Sequence, residues 1–125
     1  MKIRHLSLRD FRNYESLELN FNSNINIFIG DNAQGKTNLL EAIYLLSTGR
    51  SHRVSDEKLM IRKDSEMAVC KAVVDTEVQL QLKVVLHDKG KTLFYQNQPL
   101  KKSSEFIGKM NAVLFSPSDM DLFET

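Results

Sequence analysis

Eight residues restrict this chain more than any others: Gly30-Asp31-Asn32-Ala33-Gln34-Gly35-Lys36-Thr37. They match the pattern G-x-x-x-x-G-K-[ST] at every fixed position. Gly30 lets the chain leave a strand sharply, and Gly35 lets backbone N–H groups approach a phosphate with no Cβ in the way. Those donors, with the positive end of a following helix, make a ready anion site. In that role Asp31, Asn32, Ala33 and Gln34 line the cradle and Lys36 reaches the β- and γ-phosphates of a nucleoside triphosphate. The Thr37 hydroxyl is then a magnesium ligand. The expected ligands are ATP and Mg2+. Four fixed positions match by chance in roughly one protein of this length in a few hundred, so the flanking pattern decides whether the match is meaningful.

That pattern is the one the motif requires. Ile25-Asn26-Ile27-Phe28-Ile29 is nearly continuous apolar sequence, as in a strand buried on both faces. After Gly35 the period changes. Leu39, Leu40, Ile43 and Leu46 fall on one face at helical spacing, Ala42, Tyr44 and Leu45 widen the stripe, and Glu41 lies on the other side. Glu41 is the only charge between Asn38 and Thr48, so the helix is expected to be mostly buried. The spacing predicts a helix over 36–48, with Gly49 as its C-cap.

The rest reads as β-rich. Ile3, Leu6 and Leu8 form a first apolar run; Leu17, Leu19 and Phe21 alternate with Glu18 and Asn20, followed by a turn at Asn22-Ser23-Asn24. Met67 to Val74 is a strand, and Val78, Leu80, Leu82 and Val84 alternate with Gln79, Gln81 and Lys83 in the next. Asp88-Lys89-Gly90 is a hairpin turn, Thr92 to Tyr95 returns, and Asn97-Gln98-Pro99 turns again. Ser103 caps a short helix with Phe106, Ile107 and Met110, and Ala112-Val113-Leu114-Phe115 is a strand stopped by Ser116-Pro117.

Composition narrows function only a little. A chain of 125 residues suits one domain, and a net charge of +1 means that any nucleic-acid surface must be local. The single cysteine, Cys70, sits in an apolar run and reads as a small buried hydrophobe, not a nucleophile. The start lacks an apolar signal core and no run approaches the ~20 apolar residues of a membrane span, so a cytoplasmic protein is expected. A strand ending in an acidic residue, which would hold magnesium and polarise water, is not evident. Val73-Val74-Asp75 and Val84-Val85-Leu86-His87-Asp88 offer the right letters, but alternation or a hairpin turn explains each aspartate. The segment therefore reads as half of a nucleotide-binding unit.

Four segments together carry a resemblance: Ile3-Arg4-His5-Leu6-Ser7-Leu8-Arg9-Asp10-Phe11-Arg12-Asn13-Tyr14, the phosphate loop running into Asn38, Gly49-Arg50-Ser51-His52-Arg53, and Leu114-Phe115-Ser116-Pro117. The chain closely resembles the start of the RecF family of bacterial DNA replication and repair proteins, relatives of the ABC-type ATPase heads of SMC proteins. The resemblance implies an α/β fold, a P-loop NTPase of ABC-ATPase-head type. Residues 1–125 would be its N-terminal lobe, with a mixed or antiparallel β-rich portion around the P-loop helix. It implies that the lobe with the signature motif and the magnesium carboxylate lies elsewhere, that ATP is sandwiched between two protomers of a homodimer, and that the fragment alone is inactive. It implies DNA as a partner, at single-stranded gaps or junctions, with RecR and RecO in RecA loading and the SOS response. Among residues, it adds Arg12, Asn13 and Asn38 to the nucleotide site. For Arg12 the alternative is a solvated arginine at a strand end. For Arg50, His52 and Arg53 three readings stand: nucleotide contact, DNA phosphate contact, or a solvated basic loop. Ser116 to Asp119 falls where ABC heads carry a Q-loop, without the glutamine.

Two rivals remain at this point. A small nucleotide kinase or GTPase would share the loop, but no Asn-Lys-x-Asp motif is present and the β-rich middle does not suit a kinase lid. A DNA-binding module using the loop structurally would bind nucleic acid with a steep salt slope and no ATP dependence.

Overall fold

The computed structural model describes residues 2–20 and 33–101, with Lys2 and Ala33 to Lys36 described as backbone. Six strands form one sheet: β1 (Lys2–Phe11), β2 (Tyr14–Asn20), β3 (Met67–Asp75), β4 (Gln79–His87), β5 (Gly90–Tyr95) and β6 (Gln98–Pro99), in the order β2-β1-β3-β4-β5-β6. Every pairing is antiparallel. The one described α-helix, α1 (Ala33–Thr48), packs across β3 and β4.

Alternation builds most of the sheet. Ala68, Cys70, Ala72 and Val74 of β3 and Leu80, Leu82, Val84 and Leu86 of β4 turn to one face, with Leu6 and Leu8 of β1, and all are buried. Phe11 breaks the period, after Asp10 at φ 50°, and joins the same core. The helix supplies Leu39, Ala42, Ile43, Leu45 and Leu46 to the same core. Fully burying a Leu or Phe side chain contributes roughly 1.5–3 kcal/mol before entropy is counted, so this shared layer holds helix and sheet together. The three-residue step from Ile3 to Leu6 does not fit a period of 2. A bulge between Ile3 and His5 absorbs the extra residue and returns both apolar side chains to the core face.

Several boundaries differ from the sequence expectation. The helix begins at Ala33, ahead of the expected Lys36: Ala33 and Gln34 are good helix formers, and the helix runs on through Gly35. Val78 is not in β4: it is exposed, and its carbonyl accepts from the Thr76 backbone N–H at 2.9 Å, which makes it part of the turn after β3. The last turn is Gln96-Asn97, whose φ angles of 53° and 65° are both positive. That is the geometry of a tight two-residue hairpin. Gln98–Pro99 is the short returning strand, not the turn. Gly49 adopts φ 83°. Its N–H bonds the Leu45 carbonyl at 2.8 Å, which is the expected helix stop. The expected features at 21–32 and 103–119 lie outside the described residues.

Between α1 and β3 a single 3₁₀ turn, Glu57–Met60, places Met60 fully in the core. Its backbone also clamps the end of β1: the Arg12 N–H bonds the Met60 carbonyl and the Arg62 N–H bonds the Asp10 carbonyl, each at 2.8 Å. That clamp fixes the β1–β2 turn.

Candidate functional site

The turn so fixed is Arg12-Asn13, between the paired residues Phe11 and Tyr14. Arg12 has φ 53°, an uncommon left-handed conformation for a residue with a side chain. Phe11, fully buried, anchors one side of the turn. Arg12 thereby reaches α1. It donates from Nε to Glu41 Oε1 at 2.8 Å and from Nη2 to Oε2 at 2.9 Å. The pair is bidentate, the strong geometry for a guanidinium and a carboxylate.

Glu41 is the centre of the arrangement. It has no exposed surface, and a buried carboxylate must be paired. Besides Arg12, it accepts from Arg53 Nη1 at 3.1 Å and from the Ser51 hydroxyl at 2.6 Å. Arg53 Nη1 also donates to Asn38 Oδ1 at 2.9 Å, and Asn38 Nδ2 donates to Asn13 Oδ1 at 2.8 Å. Ser51 organises its own loop by accepting from the backbone N–H of Arg53 at 2.9 Å and of Val54 at 3.2 Å. One connected network thus ties the β1–β2 turn, the middle of α1 and the loop after it. Burial raises the Glu41 pKa, but hydrogen bonds from Arg12 and Ser51 and the charges of Arg12 and Arg53 outweigh it, and the net shift is downward. The cluster holds two guanidiniums against one carboxylate, so it carries a surplus positive charge.

Spacing puts this network beside the end of the Gly30 to Thr37 motif. Thr37 is exposed in the first part of α1, and Glu41 lies one helical turn on, along the same side of the helix. Gly30, Asp31 and Asn32 lie outside the described residues; Ala33, Gln34, Gly35 and Lys36 form the first turn of α1. Of the cradle residues expected from sequence, the structure brings Arg12, Asn13 and Asn38 together. Arg53 joins them through its guanidinium; Arg50 and His52 do not, and both are exposed. The His52 ring lies 4.9 Å from that of Tyr44. These residues border an open groove of about 590 Å³, also lined by Arg53 and Lys91.

A hydroxyl oxygen at Thr37 suits a hard divalent cation. Among the described residues no cluster of three His, Cys, Asp or Glu side chains forms a metal site. Asp75 is ion-paired with Arg4, and Asp88 sits in the β4–β5 hairpin turn. Sequence reasoning assigns no role to Glu41 or to the Ser51 hydroxyl. A signal for Glu41 exists: a lone charge in an apolar helix must find a partner.

A family model described as "AAA ATPase domain" matches residues 1–117. The chain belongs to the AAA ATPase domain family. Its sequence is 46% identical over 123 residues to the DNA replication and repair protein RecF of Lactobacillus johnsonii, covering 98% of this chain and 33% of that protein. RecF of Bacillus pumilus is 42% identical over the same length, again with 98% and 33% covered. The chain therefore spans about a third of the length of the curated relatives it matches. A structure of the recombination mediator protein RecF with ATP superimposes with a TM-score of 0.78 at 31% identity, covering 97% of this chain and 33% of that one. An SMC ATPase structure, from work on ATP-driven dimerization and DNA-stimulated activation, shares the fold with a TM-score of 0.76 at 19% identity, covering 98% and 90%. The resemblance to RecF thus extends along the whole chain, and the antiparallel sheet with its helix is the fold of the N-terminal lobe of an ABC-type ATPase head. No described helix is long and apolar enough to cross a membrane.

Proposed function

We propose that residues 1–125 form the ATP-binding N-terminal lobe of a cytoplasmic DNA replication and repair protein of RecF type, which binds DNA and acts with RecR and RecO in RecA loading and the SOS response. The observation that carries the reading is the continuity of Gly30 to Thr37 with α1, backed by the Arg12–Glu41–Arg53 network on the same helix. In this reading the backbone from Gly30 to Gly35 and the Lys36 ammonium hold the β- and γ-phosphates. The Thr37 hydroxyl takes Mg2+, which when bound neutralises charge developing on the transferred phosphoryl group. Asn38 and Asn13 brace the cradle, and Arg12 and Arg53 keep N–H donors near it while Glu41 fixes their planes. Hydrolysis requires a magnesium carboxylate and a signature loop contributed by the other lobe and a second protomer, so the lobe alone binds ATP and turns it over at background rate.

The test is ATP affinity, measured with a fluorescent analogue displaced by ATP. Lys36→Ala is expected to abolish binding while leaving the far-ultraviolet circular dichroism unchanged. Unchanged affinity in a folded variant sinks the phosphate-loop assignment, and substantial turnover by the isolated chain refutes the shared-site reading.

A further inference from the structure

The sheet has a second face, turned away from α1, and its charges are distributed unevenly. One row of directly paired residues crosses all six strands there: Glu18, Ser7, Lys71, Lys83, Phe94 and Pro99. Lys71 and Lys83 stand directly opposite each other, an arrangement of like charges that destabilises an antiparallel pair. Arg9 also lies on this face, paired with Val69. Arg9 and Lys71 are exposed; Lys83 is half-buried, its ammonium 4.3 Å from the Phe94 ring centre. None of the three forms an ion pair with a described residue. Glu18 feels the charge of Lys71 but is hydrogen-bonded to His5 at 2.9 Å, Asp75 is taken by Arg4, and Asp10 is paired with Arg62. Among the described side chains this face has four fixed cations, Arg4, Arg9, Lys71 and Lys83, against two carboxylates, Glu18 and Asp75, in a chain whose net charge is only +1.

We propose that this face is a contact surface for the phosphodiester backbone of nucleic acid, held by Arg9, Lys71 and Lys83. The inference rests on the DNA-repair reading above and gives that partner a location distinct from the phosphate loop. A like-charged pair retained on an exposed face fits a polyanion that neutralises it. A nucleic acid is favoured over an acidic protein because, among the described residues, the face has no large exposed apolar anchor at its centre. Val69, Val73, Val85 and Phe94 are half-buried, and Met67, the exposed one, sits at the end of β3. Phe94 lies beneath Lys83 and is not free to stack a base, so the contact reads charge and not sequence.

The experiment uses a fluorescent deoxyoligonucleotide of about 30 nucleotides, single- and double-stranded, titrated at low salt where phosphate contacts are strongest. The triple variant Arg9→Gln/Lys71→Gln/Lys83→Gln should lose at least about tenfold in affinity, and its log–log salt slope should fall by about 2–3. Its ATP binding and circular dichroism should match the parent. A control of equal charge change, Lys58→Gln/Lys63→Gln/Lys89→Gln, should lose less than about threefold. If both triples weaken binding equally, net charge and not this face is responsible, and the proposal fails. If the parent binds DNA and the first triple binds as well, the face is wrong while the DNA-repair reading stands. No binding by the parent overturns both, and capture of polyglutamate with no affinity for DNA assigns the face to an acidic protein instead.

Discussion

Replacing Glu41 by Ala tests the network most severely. The carboxylate has no exposed surface and accepts four hydrogen bonds, at 2.8 and 2.9 Å from Arg12, 3.1 Å from Arg53 and 2.6 Å from Ser51. Its loss leaves two guanidiniums facing each other with no anion between them. Removing one partner of a buried ion pair costs about 3–5 kcal/mol. Arg12 and Arg53 keep side-chain exposures of 19% and 32%. Water therefore recovers part of their solvation and the lower end applies, about 3 kcal/mol. Against a domain stability of roughly 5–15 kcal/mol that is a large fraction. Urea unfolding followed by far-ultraviolet circular dichroism reads it, since the chain has no tryptophan. A double-mutant cycle with Arg12→Met separates the pair from the cavity: the double variant should recover at least about 1 kcal/mol relative to additivity, because one of the two stranded charges, and its repulsion with Arg53, is then gone. A Glu41→Ala loss below about 1 kcal/mol, or a coupling energy near zero, refutes the claim that this carboxylate holds the three segments together.

Two further outcomes follow from the same core. The folded pKa of Glu41 is depressed, so its contribution to stability is fully present above the ordinary glutamate value of about 4.3 and is lost as pH falls through the lower folded value. The urea midpoint of the parent should therefore drop more steeply below about pH 4 than that of Glu41→Gln, and parallel profiles would contradict the assignment. Burial, with a smaller contribution from the Glu41 charge, pushes the Cys70 thiol far above its usual value, so no thiolate forms in the native state. Cys70 should react with an aromatic disulfide reagent only at the rate of unfolding, and fast labelling of the folded chain would show that β3 is not packed as described.

The helix is legible in the sequence because its apolar residues repeat at the helical period, and Leu39, Ile43 and Leu46 of that pattern are all buried. β3 is legible as an apolar run and β4 by alternation, apart from the misplaced Val78 at the start of β4. The register is not: the bulge after Ile3 and the Gln96-Asn97 turn depend on which neighbour each strand pairs with, which a local pattern does not encode. Arg12, Asn13 and Asn38 are marked by resemblance, while the partner at the centre of their network, Glu41, reads from sequence only as a residue across from the apolar stripe.

The sequence by itself determined the G-x-x-x-x-G-K-[ST] motif, the helix that follows it and the family, because a motif and a helical period are local properties of consecutive residues. Only the tertiary structure decided what the charges do. Arg12 and Arg53 lie far apart in the chain and meet on one carboxylate, and Lys71 meets Lys83 across a strand pair. A charge takes its energy from whatever folding brings within a few ångströms of it, and chain order does not state that distance.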